Sequence, residues 1–421
     1  MSKVSVAREK ACAKYLAHYA EPEVQALASF PSTLYYQHAV VIPAFQETGD
    51  FIDRFVHSVL AQQACLLIVI INQPDSGLSL QQQQAQVDLS AYIKQQGETR
   101  WQHNNLYLVE LNSVEQQSNS AILLVDRYNV PIPVEQGVGL ARKIGADLAL
   151  KLYHQGQISS SWLHSTDADA HLPDNYLSAY GQANPLLDKA VVTCCNFYHY
   201  SRHLAIHDAN MRYENALRYY VAGLQYAQSP SAYFTIGSTL SFDVFAYSQA
   251  RGFPKRSAGE DFYLLNKLAK LGEVAFLSDV LIKLDARPSQ RVPFGTGPAV
   301  QNIMHLAQTG ADYYYYHPQV FTALRTCLQA FEHLWQQRHQ PELWLSELPD
   351  YIQQALSAVG LMAFINKQKN AKQQQFNKQL VVWFDSFKTL KFIHAVRDLG
   401  LANIPLEQAI ATAPFSIDHL R

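Results

Sequence analysis

Two apolar runs without alternation constrain this chain more than any other feature. His38-Ala39-Val40-Val41-Ile42 stops at Pro43, and Cys65-Leu66-Leu67-Ile68-Val69-Ile70-Ile71 stops at Asn72-Gln73-Pro74. A strand with one wet face alternates apolar and polar residues; these do not, so both of their faces expect cover. The first run leads into helical spacing from Phe51 to Gln63, and strands linked in this way build a parallel sheet between helical layers. The prediction is an α/β fold of the nucleotide-binding sort. Leu106 to Leu111 and Ala121 to Val125 read as further strands, and the glutamine-rich stretch from Ser76 to Trp101 as a helix or loop at the sheet edge.

With 421 residues the chain has room for more than one domain. Residues 1–36 read as an N-terminal helical extension, 37–297 as the α/β domain and 298–421 as a helical C-terminal domain, with tracts at 319–339, 342–358, 375–398 and 405–412. That last domain offers a surface for an acceptor pocket or a homo-oligomer contact. Lys plus Arg at 33 against Asp plus Glu at 35 leaves no basic field to draw nucleic acid. The five cysteines include no Cys-x-x-Cys pair and read as reduced, mostly buried thiols. No apolar run approaches the roughly 20 residues that cross a bilayer, and the N-terminus lacks the apolar core of a signal peptide, so a cytoplasmic protein without integral membrane association is expected.

Candidate chemistry begins at Trp162-Leu163-His164-Ser165-Thr166-Asp167-Ala168-Asp169, an apolar approach ending in two carboxylates. In an extended chain alternate residues share a face, so Asp167 and Asp169 would present their oxygens to one hard cation, Mg²⁺ or Mn²⁺, at the mouth of the sheet. Asp, Ser and Thr are also ordinary turn formers, and by itself the pattern is weak. Upstream, Gly137-Val138-Gly139-Leu140-Ala141-Arg142-Lys143 opens a helix running to Tyr153, and a helix start with nearby cations is a ready anion site. Downstream, Gly259 leads into Glu260-Asp261 at the start of an amphipathic helix, which by itself is ordinary capping.

Taken in order, Val40-Val41-Ile42-Pro43-Ala44-Phe45-Gln46-Glu47, Gly139-Leu140-Ala141-Arg142-Lys143, Asp167-Ala168-Asp169 with Leu172-Pro173, and Gly252-Phe253 with Gly259-Glu260-Asp261 resemble a family 2 glycosyltransferase of the GT-A fold. The resemblance spans about residues 38 to 285. It implies metal-dependent transfer of a sugar from a nucleotide-diphosphate sugar, with inversion at the anomeric carbon. It also implies roles: Asp261 as general base supported by Glu260, Asp169 as metal ligand, Asp167 facing the donor ribose or metal, and Arg142 near the diphosphate or base. Pro43, Phe45, Glu47 and Asn72 would line the nucleotide.

Gln46 stands where such enzymes usually have Asn, Asn72 where an Asp usually reads the base, Ala170 where a third acidic residue often follows, and Asp285 where a histidine often completes the metal site. An amide offers both a donor and an acceptor to a pyrimidine edge, so UDP is the favoured nucleotide and GDP the alternative. Arg287 and Arg291, in a segment rich in Pro and Gly, would clamp phosphate or an acidic acceptor, or else anchor a linker. His199, His203 and His207 share the spacing of one helix face, a weak zinc pattern, and tyrosines concentrated between Tyr198 and Tyr233 suit either core packing or sugar rings. The expected acceptor is small, soluble and hydrophilic. Competing readings are a sugar nucleotidyltransferase, whose glycine-rich basic loop after the first strand is absent from Pro43-Ala44-Phe45-Gln46-Glu47, and an inactive sugar-nucleotide-binding scaffold.

Overall fold

The computed structural model describes residues 3–112, 119–181, 184–287 and 295–421. They fall into two compact units, Met1–Ser201 with Thr235–Gly295, and Arg202–Phe234 with Thr296–Arg421. No helix among the described residues is long and apolar enough to cross a membrane.

The first unit is α/β. Helix α1 (Lys3–His18) precedes β1 (His38–Ala44), α2 (Asp50–Val56), β2 (Cys65–Pro74), α3 (Leu80–Lys94), β3 (Gly97–His103), β4 (Leu106–Leu111), β5 (Ala121–Ile132) and α4 (Gly137–His154). After these come β6 (Trp162–Ser165), β7 (Ala170–His171) and β8 (Ala190–Tyr200). Among the described residues ten strands make one sheet, in the order β3-β4-β5-β2-β1-β6-β9-β8-β10-β7, with β9 spanning Leu240–Asp243 and β10 Glu273–Asp285. Strands β5, β2, β1 and β6 are parallel neighbours, as are β8 and β10, whereas β4, β9 and β7 run against them. The two unalternating runs sit at the centre: every residue of β1 is buried, and β2 is buried from Cys65 to Asn72. The sheet is thus mostly parallel and covered by helices, as the apolar runs predict.

Helix α4 is buried along most of its length and is pinned from within. Asp147, fully buried, accepts from Lys143 Nζ at 2.8 Å, Tyr15 Oη at 2.6 Å, Tyr247 Oη at 2.9 Å and the Glu21 N–H at 2.8 Å. A buried carboxylate with so many donors satisfies its desolvation locally and ties the N-terminal segment to α4. All five cysteines are reduced and buried.

The second unit is helical: α5 (Leu204–Tyr226), then α8 (Thr296–Thr309), α9 (Gln319–Leu334), α10 (Pro341–Ser346), α11 (Asp350–Ala358), α12 (Leu361–Gln368), α13 (Gln373–Trp383), α14 (Ser386–Asp398) and α15 (Leu406–Thr412); α6 (Val244–Gln249) and α7 (Glu260–Leu268) belong to the first unit. The tract expected over 375–398 is two helices, because the Asp385 side chain accepts from the N–H groups of Phe387 and Lys388 and starts a new helix there. The expected His199, His203, His207 helix face does not form: His199 lies on β8, and α5 begins only after His203.

Candidate active site

The site is organised by Arg142, in the second turn of α4 and 3% exposed. Its Nε donates to Glu260 Oε1 at 3.0 Å, Nη1 to Ser165 Oγ at 2.9 Å and to the Thr166 carbonyl at 3.2 Å, and Nη2 to Asp167 Oδ1 at 2.6 Å. The planar fork of a guanidinium suits it to gather groups from three separate stretches, the end of β6, the start of α7 and α4 itself. Burial pulls its pKa down, but Asp167, Glu260 and Asp261 outweigh that and hold it above the ordinary value. The role expected from sequence therefore changes: Arg142 is committed to protein carboxylates instead of standing open to a diphosphate. Lys143 is likewise buried against Asp147, so the start of α4 presents neither cation to an anion.

Asp167 and Asp169 are brought together, though not along a strand. Strand β6 ends at Ser165, and the Ala170 N–H donates to the Asp167 carbonyl at 3.1 Å, closing a turn over Asp167-Ala168-Asp169-Ala170. Alternation along an extended chain thus does not apply, because the turn formers in the motif form a turn. Asp167 spends Oδ1 on Arg142 and accepts from Ser238 Oγ at Oδ2, 2.6 Å away. The turn is held further by Arg54 on α2, whose Nη2 donates to the Ala168 carbonyl at 2.5 Å.

Asp261 is half-buried at the first turn of α7, where Gly259 at φ 72° supplies the left-handed entry that a side chain would resist. Its Oδ1 accepts from the Phe262 N–H at 2.7 Å. Burial, then the neighbouring charge of Glu260, push its carboxyl up to about 7, against the pull of the Phe262 N–H and of Arg142. Glu260 itself is buried on Arg142. Gly237 closes the cluster: a Cβ there would lie 2.8 Å from Arg142 Nη2 and 3.4 Å from Asp261 Oδ2, so only a residue without a side chain lets that backbone pass.

The remaining candidates line the loop after β1 and the end of β2. Pro43 is buried within β1, and Phe45 and Glu47 are half-buried just beyond it. Glu47 pairs with Arg287 Nη2, which also lies 3.7 Å from Asp169 Oδ2, so three sequence-distant candidates meet. Arg291 lies outside the described residues. Asn72 is 8% exposed, and its Oδ1 has no hydrogen-bond partner among the described residues. Asp285 directs its carboxylate to His171 Nε2 at 2.9 Å, and its N–H donates to the Asp169 carbonyl at 3.0 Å.

Four contributors were missed in the sequence. Ser165, Ser238 and Gly237 serve Arg142 and Asp167, and Gln86, fully buried, links the two loops by accepting from the Gln46 N–H at 3.2 Å and donating to the Asn72 carbonyl at 3.3 Å. The small hydroxylic stretch Gly237-Ser238-Thr239 between apolar residues was a usable signal for Gly237 and Ser238; Gln86 was hidden beside a run of glutamines that reads as solvated.

For a divalent cation the fit is of one kind only. Among the described residues no group of three His, Cys, Asp or Glu is arranged to hold a metal, so there is no protein cage. Asp169, with Asp167 two residues before it in the same turn, suits a hard cation that takes its other oxygens from a diphosphate and water.

No family model and no curated protein matches the chain. Solved structures similar to it include S. aureus TarS 1-349 in complex with UDP-GlcNAc, at 10% identity and a TM-score of 0.36, covering 82% of this chain and 90% of that one. Another is the mannosyltransferase PcManGT from Pyrobaculum calidifontis in complex with GDP-Man and Mn²⁺, at 16% identity and a TM-score of 0.35, covering 94% of this chain and 96% of that one. Likeness at this level carries no argument about the chemistry of this chain, which rests on the geometry above.

Proposed function

We propose that the chain is an inverting glycosyltransferase of the family 2, GT-A type, moving a sugar from a nucleotide-diphosphate sugar to a hydroxyl of a soluble hydrophilic acceptor. One observation carries this reading: Arg142 holds Asp167 and Glu260 from separate stretches of chain, and Asp261, next to Glu260, has its carboxyl pushed up to about 7. An acceptor hydroxyl needs a base within reach as it attacks, and a base is most effective when its pKa is close to the working pH. Asp261 takes that proton. Arg142 and Glu260 hold it in place and set its charge. Attack from the Asp261 side, opposite the departing nucleoside diphosphate, inverts the anomeric carbon.

The donor end is assigned to the loop after β1, the end of β2 and the Asp167-Asp169 turn. A buried Asn72 Oδ1 without a partner among the described residues suits a ring N–H, which uracil offers at N3 and guanine at N1, so UDP and GDP both fit and UDP is tested first. Pro43 and Phe45 flank the base, and Arg287, beside Glu47 and Asp169, faces phosphate. Bound Mn²⁺ or Mg²⁺ would be held by Asp169 with Asp167 and would neutralise charge gathering on the leaving diphosphate.

A thermal-shift screen of UDP, GDP and their sugars with and without Mn²⁺ tests the reading, since a ligand that binds only the folded state raises the melting temperature. A metal-dependent rise with UDP or a UDP-sugar is expected. Absence of any shift with every nucleotide sugar at saturation sinks the reading.

A further inference from the structure

The sheet carries an exposed aromatic face that the transfer chemistry leaves unused. On β8, Tyr198 is 38% and Tyr200 44% exposed, while Phe197 and His199 between and beside them are buried. Alternation places Cys194, Asn196, Tyr198 and Tyr200 on one side of the strand. The pairing across the sheet fixes which side that is. Ser165 and Cys194 each pair with Leu240 of the intervening strand β9, and residues paired directly across strands share a face; Ser165 Oγ binds Arg142. The tyrosines therefore share the side of the sheet that carries the carboxylate cluster.

The neighbouring strand extends this face. Lys283 and Asp285 of β10 pair with Tyr198 and Tyr200, and Lys283 Nζ lies 5.4 Å over the Tyr200 ring. The Asp285 N–H reaches the Asp169 carbonyl at 3.0 Å, so Tyr200 stands one strand away from the Asp167-Asp169 turn. Along β8, Tyr198 lies about 13 Å and Tyr200 about 20 Å from Cys194, at a rise of about 3.3 Å per residue. The two rings are therefore about 7 Å apart on one face, room for a separate sugar ring on each.

We propose that Tyr198 and Tyr200, with Lys283 beside them, form an acceptor platform on which successive rings of an oligosaccharide chain stack, so that the acceptor is a glycan longer than one sugar. The inference rests on the glycosyltransferase reading and specifies its acceptor class. Tyrosine rings present apolar faces that suit the axial C–H side of a pyranose, and their hydroxyls with the Lys283 ammonium serve the sugar hydroxyls. Continuity with the Asp169 turn and the side shared with Asp261 favour a substrate chain over a protein partner as occupant.

Calorimetric titration of gluco-, manno- and N-acetylglucosamine oligosaccharides, from monosaccharide to hexasaccharide, tests the platform in wild type, Y198A/Y200A and Y198F/Y200F. Affinity is expected to rise with length in one series by roughly tenfold, at a few-fold for each stacked ring. The phenylalanine pair should keep that gain and the alanine pair should lose it, with metal-dependent nucleotide binding unchanged in both. Binding that ignores length in a wild type that does take up nucleotide overturns the platform alone. So does an alanine pair that binds as wild type, or one that instead turns a dimer into a monomer, which would show a second copy on this face. A wild type that binds no nucleotide overturns the glycosyltransferase reading, and this inference with it.

Discussion

Arg142 Nη2 lies 2.6 Å from Asp167 Oδ1, and the same guanidinium holds Glu260 at 3.0 Å. That one cation joins the turn after β6 to the start of α7, so the placement of the Asp167-Asp169 turn and of Glu260-Asp261 is set by one buried side chain.

Removing Arg142 leaves Asp167, Glu260 and Asp261 facing one another without compensation. Breaking a buried pair by deleting one partner costs about 3–5 kcal/mol, and Arg142→Ala is expected to lose that much in urea unfolding. Arg142→Lys should recover little of it, because a single ammonium cannot reach Ser165, the Thr166 carbonyl, Asp167 and Glu260 together. A lysine variant with wild-type stability would show that the fork geometry is dispensable.

Gly237→Ala puts a methyl group 2.8 Å from Arg142 Nη2. Overpacking in a filled site costs about 1–3 kcal/mol, and here the strain falls on the group that holds Asp167 and Glu260. Transfer is expected to drop at least tenfold while the melting temperature falls only moderately, read by paired kinetics and thermal unfolding. Equal activity in this variant would mean that Arg142 can shift without consequence.

The sheet was legible because its information is local: β1 and β2 are apolar at every central position, whatever the rest of the chain does. Asp167, Asp169, Glu260 and Asp261 were singled out by an ordered series of motifs, and the structure brings Asp167 and Glu260 onto one guanidinium. The hub was misread because a guanidinium near a helix start looks the same in sequence whether it faces a phosphate or three carboxylates; only the fold brings residues 165–167 and 260 onto Arg142. Asp167-Ala168-Asp169 was read as extended because the strand before it, which ends at Ser165, was extrapolated through Asp169. Gln86 could not be told from its neighbours, since one glutamine of the run is fully buried and the others are not.

Asp169→Asn removes charge from the turn while leaving its backbone hydrogen bonds intact. If this carboxylate holds the cation, nucleotide-sugar binding in the presence of Mn²⁺ should weaken about tenfold or more, the unfolding temperature without ligand should barely move, and chelation with EDTA should bring the wild type to the same level. Arg287→Ala should also weaken donor binding, through lost phosphate contact, but the Mn²⁺ dependence should persist. Titration calorimetry with and without metal separates the two, and an Asp169→Asn protein with unaltered metal dependence would remove Asp169 from the site.

The carboxyl of Asp261 gives opposite pH trends for activity and stability. Its value is raised in the folded protein to about 7, so the folded state holds a proton that the unfolded chain releases at ordinary carboxylate pH. The stabilising contribution is therefore complete below about pH 4 and is lost as the pH rises through about 7. Activity runs the other way, because only the ionised form accepts the acceptor proton, and kcat/KM is expected to climb with pH to a plateau above about 7. Asp261→Asn separates the two: it cannot take the proton, so transfer should fall by about 10²-fold or more with nucleotide binding nearly intact, and it cannot ionise, so its melting temperature should decline less than that of wild type between about pH 5 and about pH 8. A variant that loses activity but keeps the wild-type stability profile would assign the titration to another group; one that transfers sugar at the wild-type rate would make Glu260 the next candidate for the base.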